Sequence, residues 1–422
     1  MSSQPSNASR PQLTPPASTA AAPQVQTMKN TAEGEGWKAR PIRLKIFGNL
    51  VAEVVHKGIC MYCGACIASC PIDILFHSDN EEPIMRGTCA ACQVCYYSCP
   101  RIELPLGEIE QQVFGRTRTA NEAILGIHLG AYSVRSKDPE ILKHGQDGGA
   151  VSSLLLYALD KKIIDYSMVS GYSSRDPWKP GPKIARTRDE LIQTAGSLYT
   201  PGGQVGGLAE VAIPNRSAID FQEERLAIVG LPCELQGMWR MSTHWIATPK
   251  ITRNLVFTIG LFCSKVFDYQ KMMVDYVQGQ RGIDLKGVTK VNIKKNRLLV
   301  YTGERLAVDE PVEVVAHAAR EECNICVDYS AELADIAVGA IGSSAGWSTV
   351  LTRTPRAEYI LKGAVEAGYI DAKTLDPAGK GTKFLEKLCE RKRLRDPSAY
   401  LRHSTAYPKP EPKLVPLEMV VK

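Results

Sequence analysis

Short apolar runs and glycine-rich turns alternate through the middle of the chain. Four of these runs are aliphatic and β-branched, and each is short enough to be a buried strand: residues 163–170, 226–233, 255–263 and 334–339. A glycine-rich turn at residues 145–149 leads into an apolar segment with the length of a helix. Strands that alternate with helices in this way predict an α/β domain, to which we assign residues 131–402.

The pattern differs before and after this domain. Residues 1–35 are rich in Ser, Pro and Ala without apolar periodicity, which predicts a disordered leader, with an organelle transit peptide as the alternative. Residues 36–106 contain short apolar stretches around cysteine-rich loops and predict an α+β ferredoxin-like domain. Residues 107–130 are predicted to be a connector, and residues 403–422 a C-terminal tail.

Composition limits the function classes. The 422 residues are 44% hydrophobic and 23% charged, as in ordinary globular proteins. The longest apolar run, residues 255–263, is far shorter than the ~20 residues that span a bilayer, so we expect membrane contact only through a partner complex. A net charge of +6 without a basic block argues against nucleic acid. Thirteen cysteines without a secretory signal predict reduced thiols in the cytoplasm.

Eight of the thirteen cysteines form two copies of one motif. In each copy three cysteines at two-residue gaps are followed by a fourth that precedes proline, namely Cys60, Cys63, Cys66, Cys70 and Cys89, Cys92, Cys95, Cys99. In bacterial ferredoxins the first three hold one [4Fe–4S] cluster, and the fourth ligates the other cluster. Neither a zinc site nor a disulfide framework explains the duplication. The sequence therefore predicts two clusters, with Cys99 joining the first run and Cys70 joining the second.

Four of the remaining cysteines suggest a third cluster. Cys233 and Cys263 follow predicted parallel strands, at the edge where α/β proteins bind ligands, and Cys323 and Cys326 form a Cys-x-x-Cys pair. We predict that the four hold a third [4Fe–4S] cluster. A tetrathiolate zinc site and buried apolar cysteines stay open as alternatives. Cys389 is left over on a basic helical segment that we expect to face solvent, and it is predicted to be an inert thiol.

Short motifs occur in order at residues 145–155, 196–199, 230–237, 260–263, 323–328, 334–339 and 346–349. Together they resemble the coenzyme F420-reducing hydrogenase beta-subunit family, and the resemblance covers about residues 120–370. That family includes the electron-input subunit of F420H2 dehydrogenases, formate dehydrogenase beta subunits and chlorophyll-pathway reductases. The N-terminal cysteine runs are most similar to those of the F420H2 dehydrogenase input subunit and of F420-dependent sulfite reductase.

This resemblance implies an α+β dicluster ferredoxin-like domain followed by an α/β flavin-binding domain. It implies FAD beside the third cluster, coenzyme F420 as the hydride substrate, and other subunits of a redox complex as partners. The FAD contacts carried over are Gly148, Gly149, Ser152, Ser197 and Tyr199, and no catalytic acid or base is assigned. A flavin is the expected link because F420 exchanges two electrons at once, whereas iron–sulfur clusters accept one at a time.

Two other functions remain open. One is a ferredoxin-dependent reductase of an organic substrate such as a tetrapyrrole, and the other is a non-catalytic electron-relay adaptor. Bound pigment would favour the first, and iron without FAD would favour the second. The direction of electron flow and the F420-contacting residues do not follow from the sequence.

Overall fold

The computed structural model describes residues 44–209, 224–243, 252–375 and 380–395. The predicted leader, residues 1–35, and the predicted tail, residues 403–422, lie outside these ranges. Within the described ranges, none of the helices is both long and apolar enough to cross a lipid bilayer.

The N-terminal part is built from two similar halves. In each half a cysteine loop leads into a one-turn helix, Ala65–Ala68 or Val94–Tyr97. Both helices begin after a residue in the left-handed region, where Gly64 has φ 80° and Gln93 has φ 68°. Strands β1 (Leu75–His77) and β2 (Pro83–Met85) pair antiparallel between the halves. The N-terminal helix Phe47–Leu50, which continues as a π-helical turn Val51–Val55, packs against this unit.

An eight-stranded mixed sheet organises the rest of the chain, as expected for an α/β fold. Its strands are β3 (Gly130–Ser136), β4 (Tyr166–Gly171), β5 (Gly181–Ala185), β6 (Leu226–Gly230), β7 (Leu255–Leu261), β11 (Ile336–Gly339), β12 (Ser348–Thr352) and β13 (Ile370–Thr374). The order is β13-β3-β12-β11-β7-β6-β4-β5. The neighbours β11, β7, β6 and β4 run parallel, so their carboxyl ends open at one edge. All four predicted strands are confirmed, with ends that shift by up to three residues.

A second, three-stranded antiparallel sheet was not predicted. It consists of β8 (Val288–Lys294), β9 (Arg297–Thr302) and β10 (Arg305–Pro311). Lys295 and Asn296 join the first two strands with φ values of 50° and 61°. Positive φ at both central residues is the geometry of the tight hairpin turn that asparagine tolerates. Asn296, which lies between two β-branched runs, is the sequence feature that could have predicted this hairpin.

Helices cover both faces of the large sheet. The helices of this part of the chain are Leu106–Phe114, Pro139–His144, Ala150–Asp160, Arg188–Gln193, Pro232–Thr243, the π-helical Gln270–Gln280, Pro355–Glu366 and Lys380–Arg393. Of these, Gln270–Gln280 packs against the small sheet. The 3-10 segments are Ala120–Glu122, Gln204–Gly207, Leu285–Gly287, Val312–Ala318 and Glu321–Ile325. The predicted connector, residues 107–130, therefore contains most of one helix, whose Ile109 is fully buried against Leu333.

Candidate functional site

Two cavities in the N-terminal part are lined by cysteines from both motif copies. The first has an empty volume of about 420 Å³ and is lined by Cys60, Cys63, Cys66 and Cys99, here called the first cysteine set. The second has about 330 Å³ and is lined by Cys70, Cys89, Cys92 and Cys95, the second cysteine set. The last cysteine of each run thus lies with the other run, in the grouping that the motif predicts. Ligation of iron by these residues stays a prediction.

The third cysteine set is Cys233, Cys263, Cys323 and Cys326, and the fold brings it together at the carboxyl edge of the large sheet. Cys233 is the second residue of the helix Pro232–Thr243, which follows β6 directly. Cys263 follows β7, and the last two thiols lie on and just after the 3-10 segment Glu321–Ile325. Burial, and then the negative charges of Glu234, Cys326, Cys263 and Cys323, raise the pKa of Cys233.

The donor chemistry of all three sets fits iron–sulfur clusters. Burial raises the pKa of Cys60, Cys95 and Cys263 to about 12. Converging buried thiols become thiolates only when a bound cation compensates their charge. Within the described residues, no three His, Cys, Asp or Glu side chains converge on one point as a single metal ion requires. A tetrathiolate zinc site stays open as the alternative for the third set.

One helical turn joins the first set to the third. Gly237 lies four residues after Cys233, which is about 6 Å along a helix axis. A Cβ atom built on Gly237 would lie 2.8 Å from Cys63 Sγ and 3.2 Å from Ala65 Cβ. The absence of a side chain at Gly237 therefore lets the helix that carries Cys233 touch a thiol of the first set.

A second glycine-rich stretch, which contains Gly202, Gly203, Gly206 and Gly207, serves the same close approach. Gly206 N–H donates to Cys63 O over 3.3 Å. A Cβ atom on Gly64 would lie 2.4 Å from Gly206 N, and one on Gly206 would lie 2.4 Å from His77 Nε2. The backbone of the large domain thus packs directly on the loop of the first cysteine set.

Arg320 also joins the two parts of the chain. Its guanidinium lies 3.5 Å from the centre of the Tyr62 ring. It forms ion pairs with Glu81 over 3.1 Å and with Glu322 over 2.5 Å, and all three side chains are largely buried. Burial, the larger effect, raises the pKa of Glu81 to about 7, although Arg320 acts in the opposite direction.

Gly148 and Gly149, the predicted phosphate contacts, have packing roles that account for their lack of a side chain. A Cβ atom on Gly148 would lie 2.3 Å from Val134 O, and its N–H donates to Ser348 Oγ over 3.0 Å. Gly149 has φ +66° at the start of the helix Ala150–Asp160, and its N–H donates to Gln146 O. Ser152 is buried in the first turn of that helix. Phosphate binding by this turn stays a prediction. Because the N–H groups of both glycines already donate hydrogen bonds within the protein, a phosphate would be bound by other N–H groups of the turn.

Tyr199, another predicted contact, reaches the same turn through the small sheet. Its hydroxyl accepts a hydrogen bond from Ile293 N–H and donates one to Asn292 Oδ1 over 3.3 Å. Burial raises the pKa of this hydroxyl, and the adjoining side chain of Ser197 acts in the opposite direction. Gln146, in the turn, donates to Asn292 Oδ1 over 2.7 Å. The structure therefore brings Ser197 and Tyr199 to the glycine turn at residues 145–149.

Buried polar atoms beside Tyr199 fit a polar ligand. Both amide atoms of Gln204, which is 2% exposed, and the hydroxyl of Thr200 have no hydrogen-bond partner in the described structure. Gln204 N–H donates to Glu234 Oε1 over 3.0 Å, so this position adjoins Cys233. Buried donors and acceptors normally find partners. The ring edge of a flavin, which carries both carbonyl and N–H groups, matches this unsatisfied pair, and sequence analysis did not identify it.

Glu234 and Lys392 are further charged groups at the third set that sequence analysis missed. Burial raises the pKa of Glu234 to about 7, although its carboxylate accepts hydrogen bonds from the N–H groups of Leu231 and Gln204. Burial also favours the neutral thiol of Cys326, but the positive charges of Lys392 and Arg101 outweigh it and lower the pKa. A carboxyl and an ammonium are therefore both close enough to the third set for their charges to act on its thiols.

Two family models match the chain. One, described as the N-terminal part of the coenzyme F420 hydrogenase/dehydrogenase beta subunit, matches residues 131–207. The other, described as the C-terminal part of the same protein, matches residues 223–378. Together they cover the predicted flavin contacts and the third cysteine set.

Individual proteins show the same similarity. The coenzyme F420 hydrogenase subunit beta of Methanothermobacter thermautotrophicus is 35% identical over 64% of this chain and 93% of its own length. One component protein of the F(420)H(2) dehydrogenase of Methanosarcina mazei is 25% identical over 81% of this chain and 92% of its own length. This alignment covers more of the chain than the two family models do. A chain of the F420-reducing [NiFe] hydrogenase complex of Methanosarcina barkeri aligns with a TM-score of 0.58 and 31% identity, over 63% of this chain and 89% of that one.

Proposed function

Because the chain belongs to the coenzyme F420 hydrogenase/dehydrogenase beta-subunit family, we propose that it exchanges hydride between coenzyme F420 and FAD and passes single electrons to or from a partner redox complex. The chain is an F420-linked oxidoreductase. Its relatives are named as hydrogenase, dehydrogenase and sulfite reductase proteins that use this coenzyme. The similarity to a component of F(420)H(2) dehydrogenase favours an electron-input role.

The observation that carries the proposal is the grouping of twelve cysteines into three sets that adjoin one another. The third set adjoins the first through Gly237, which touches Cys63. The first set adjoins the second, since Cys66 and Cys95 lie close enough for their charges to interact. We infer one [4Fe–4S] cluster per set, held by the residues named above. Clusters transfer electrons one at a time.

We infer that FAD lies between the glycine turn at residues 145–149 and the third set. Gln204 and Thr200 would bond the ring edge, with Ser197 and Tyr199 beside them and Ser152 at the helix start. A bound flavin supplies the conversion between two-electron and one-electron chemistry. The protein's part is to hold the ring next to Cys233 and to exclude water from it, which the buried Gln204 side chain supports.

The arrangement also supports an exit for electrons at the second set. Cys92 is the exposed cysteine among the twelve, and Ile72 and Met85 expose apolar surface close by, at 44% and 42%. A cluster near the surface transfers electrons to a docked partner, whereas the third set lies deeper, beside the proposed flavin. The partner protein is therefore expected to dock over the second set.

The test uses the full chain, purified anaerobically, with F420H2 and an artificial one-electron acceptor. Wild-type protein should oxidise F420H2 and reduce the acceptor. Cys233→Ser should retain FAD but lose most acceptor reduction, while Cys389→Ser, which changes a cysteine outside the three sets, should behave like wild type. A preparation that contains FAD and about twelve irons per chain but does not oxidise F420H2 would refute the proposal.

A further inference from the structure

The C-terminal helix Lys380–Arg393 is not the solvated basic face that its composition predicts. Lys383, Lys387 and Arg391 are exposed as expected, but Lys392 is 3% exposed and Arg393 is 1% exposed. This helix lies beyond residue 378, where the second family model ends. The family match therefore does not explain why Lys392 and Arg393 are buried.

Both Lys392 and Arg395, just past the helix end, are bound to the backbone of the third cysteine set. Lys392 Nζ donates to Cys263 O over 2.6 Å and to Asp328 O over 2.7 Å. Arg395 donates to Cys323 O over 2.6 Å and to Cys326 O over 3.3 Å. Three of the four cysteines of the set are thus held by carbonyl contacts from the end of one helix.

Lys392 forms no ion pair within the described residues, although Asp328 is close enough for its charge to act on the ammonium. Its neighbour Arg393 is paired with the buried carboxylate of Glu332. In contrast, no carboxylate among the described residues lies within ion-pair distance of Lys392 Nζ, and its two partners are neutral carbonyls. The side chain of the nearby Asp328 accepts the N–H of Glu332 instead. A buried ammonium is costly unless an anion compensates it, and a cluster held by four thiolates is such an anion.

We propose that Lys392, supported by Arg395, is a positioning residue of the third cluster, whose fixed positive charge raises the reduction potential of the group held by Cys233, Cys263, Cys323 and Cys326. This inference rests on the proposed function, since it assumes that the third set holds a cluster. A positive charge stabilises the reduced cluster, which carries one more negative charge, and burial keeps water from screening it. The effect would make the third cluster a better electron acceptor for the proposed flavin.

Two substitutions separate charge from hydrogen bonding in the full-length protein. Lys392→Gln keeps an N–H donor but removes the charge, whereas Lys392→Arg keeps both. Lys387→Gln, on the exposed side of the same helix, is the matched control. The readouts are iron per chain and a redox titration followed by electron paramagnetic resonance. The signal of the third cluster is identified as the one that Cys233→Ser removes.

The expected result is a lower midpoint potential for that signal in Lys392→Gln, by at least tenfold in the one-electron equilibrium, or about 59 mV. The other two signals should not move, and Lys392→Arg and Lys387→Gln should match wild type. An unchanged third signal in Lys392→Gln overturns the inference and leaves the proposed function intact. A wild-type protein without any signal that Cys233→Ser removes overturns both.

Arg395→Gln keeps the inference testable if Lys392→Gln loses iron. Arg395 is half-buried and bonds the carbonyls of Cys323 and Cys326, so its replacement is milder. A lower potential of the third signal alone supports the proposal, and an unchanged potential contradicts it.

Discussion

Replacement of Gly237 by alanine tests the contact between the first and third cysteine sets. The added methyl group would lie 2.8 Å from Cys63 Sγ and 3.2 Å from Ala65 Cβ. Favourable contacts between carbon atoms lie at about 3.5–4.0 Å. The thiol of Cys63 must therefore move by roughly 0.7 Å or more, or the helix Pro232–Thr243 must shift away from it.

Two energetic effects of Gly237→Ala oppose each other. Alanine is favoured over glycine within a helix by about 0.8–1.0 kcal/mol. Overpacking of a tight contact costs about 1–3 kcal/mol. We expect a net loss of about 1 kcal/mol in the free energy of unfolding. The larger consequence is for iron, because a cluster ligand displaced by several tenths of an ångström no longer meets its corner of the cube.

The assay is iron per chain in protein purified anaerobically, together with thermal unfolding. Gly237→Ala should retain about eight irons instead of about twelve, through loss of the first cluster. Gly279→Ala is the matched control, since it also lies in a helix, but its nearest contact, Val274 O, is at 3.4 Å. Twelve irons with unaltered potentials in Gly237→Ala would refute the reasoning.

Three further predictions concern groups around the cysteine sets. Arg320→Ala should lower the free energy of unfolding in denaturant by about 3 kcal/mol, because Glu81 and Glu322 would remain buried without their cation; no change would contradict the joining role of Arg320. Glu81→Gln should flatten the dependence of the thermal midpoint on pH. Since burial raises the pKa of Glu81 from 4.5 to about 7, its stabilising contribution is complete below pH 4.5 and is lost as pH rises through about 7; an unchanged slope would count against this. Cys389→Ala should keep about twelve irons, since Cys389 is 1% exposed within an apolar cluster and belongs to none of the three sets; a loss of four irons would show that it is a ligand.

Much of the fold follows from local pattern. The strands β6 and β7 are continuous apolar runs because both of their faces are buried, and the motif spacing of Cys60 to Cys99 specifies how the two runs interlock. Both features depend on residues that are close in sequence, so one chain is enough to identify them.

Contacts between distant segments were not predictable in the same way. Gly237 appears in sequence as an ordinary helical glycine, and only the approach of the loop at Cys63 explains it. Lys392 looks like one member of a basic surface until the C-terminal helix is seen to end against Cys263 and Asp328. Gly148 was interpreted as a phosphate contact, but its backbone also packs against β3 and bonds to Ser348 in β12. Each of these roles depends on tertiary packing rather than on local propensity.

The most direct test of the account is a titration of the anaerobically purified chain with F420H2, followed by visible absorption and electron paramagnetic resonance. The central claim is that a flavin next to Cys233 accepts hydride from F420H2 and passes its two electrons, one at a time, to clusters held by the three cysteine sets. We expect flavin absorption to be lost and cluster signals to appear in the same titration, with FAD and about twelve irons per chain. Flavin reduction in the wild-type protein without any cluster signal would contradict it.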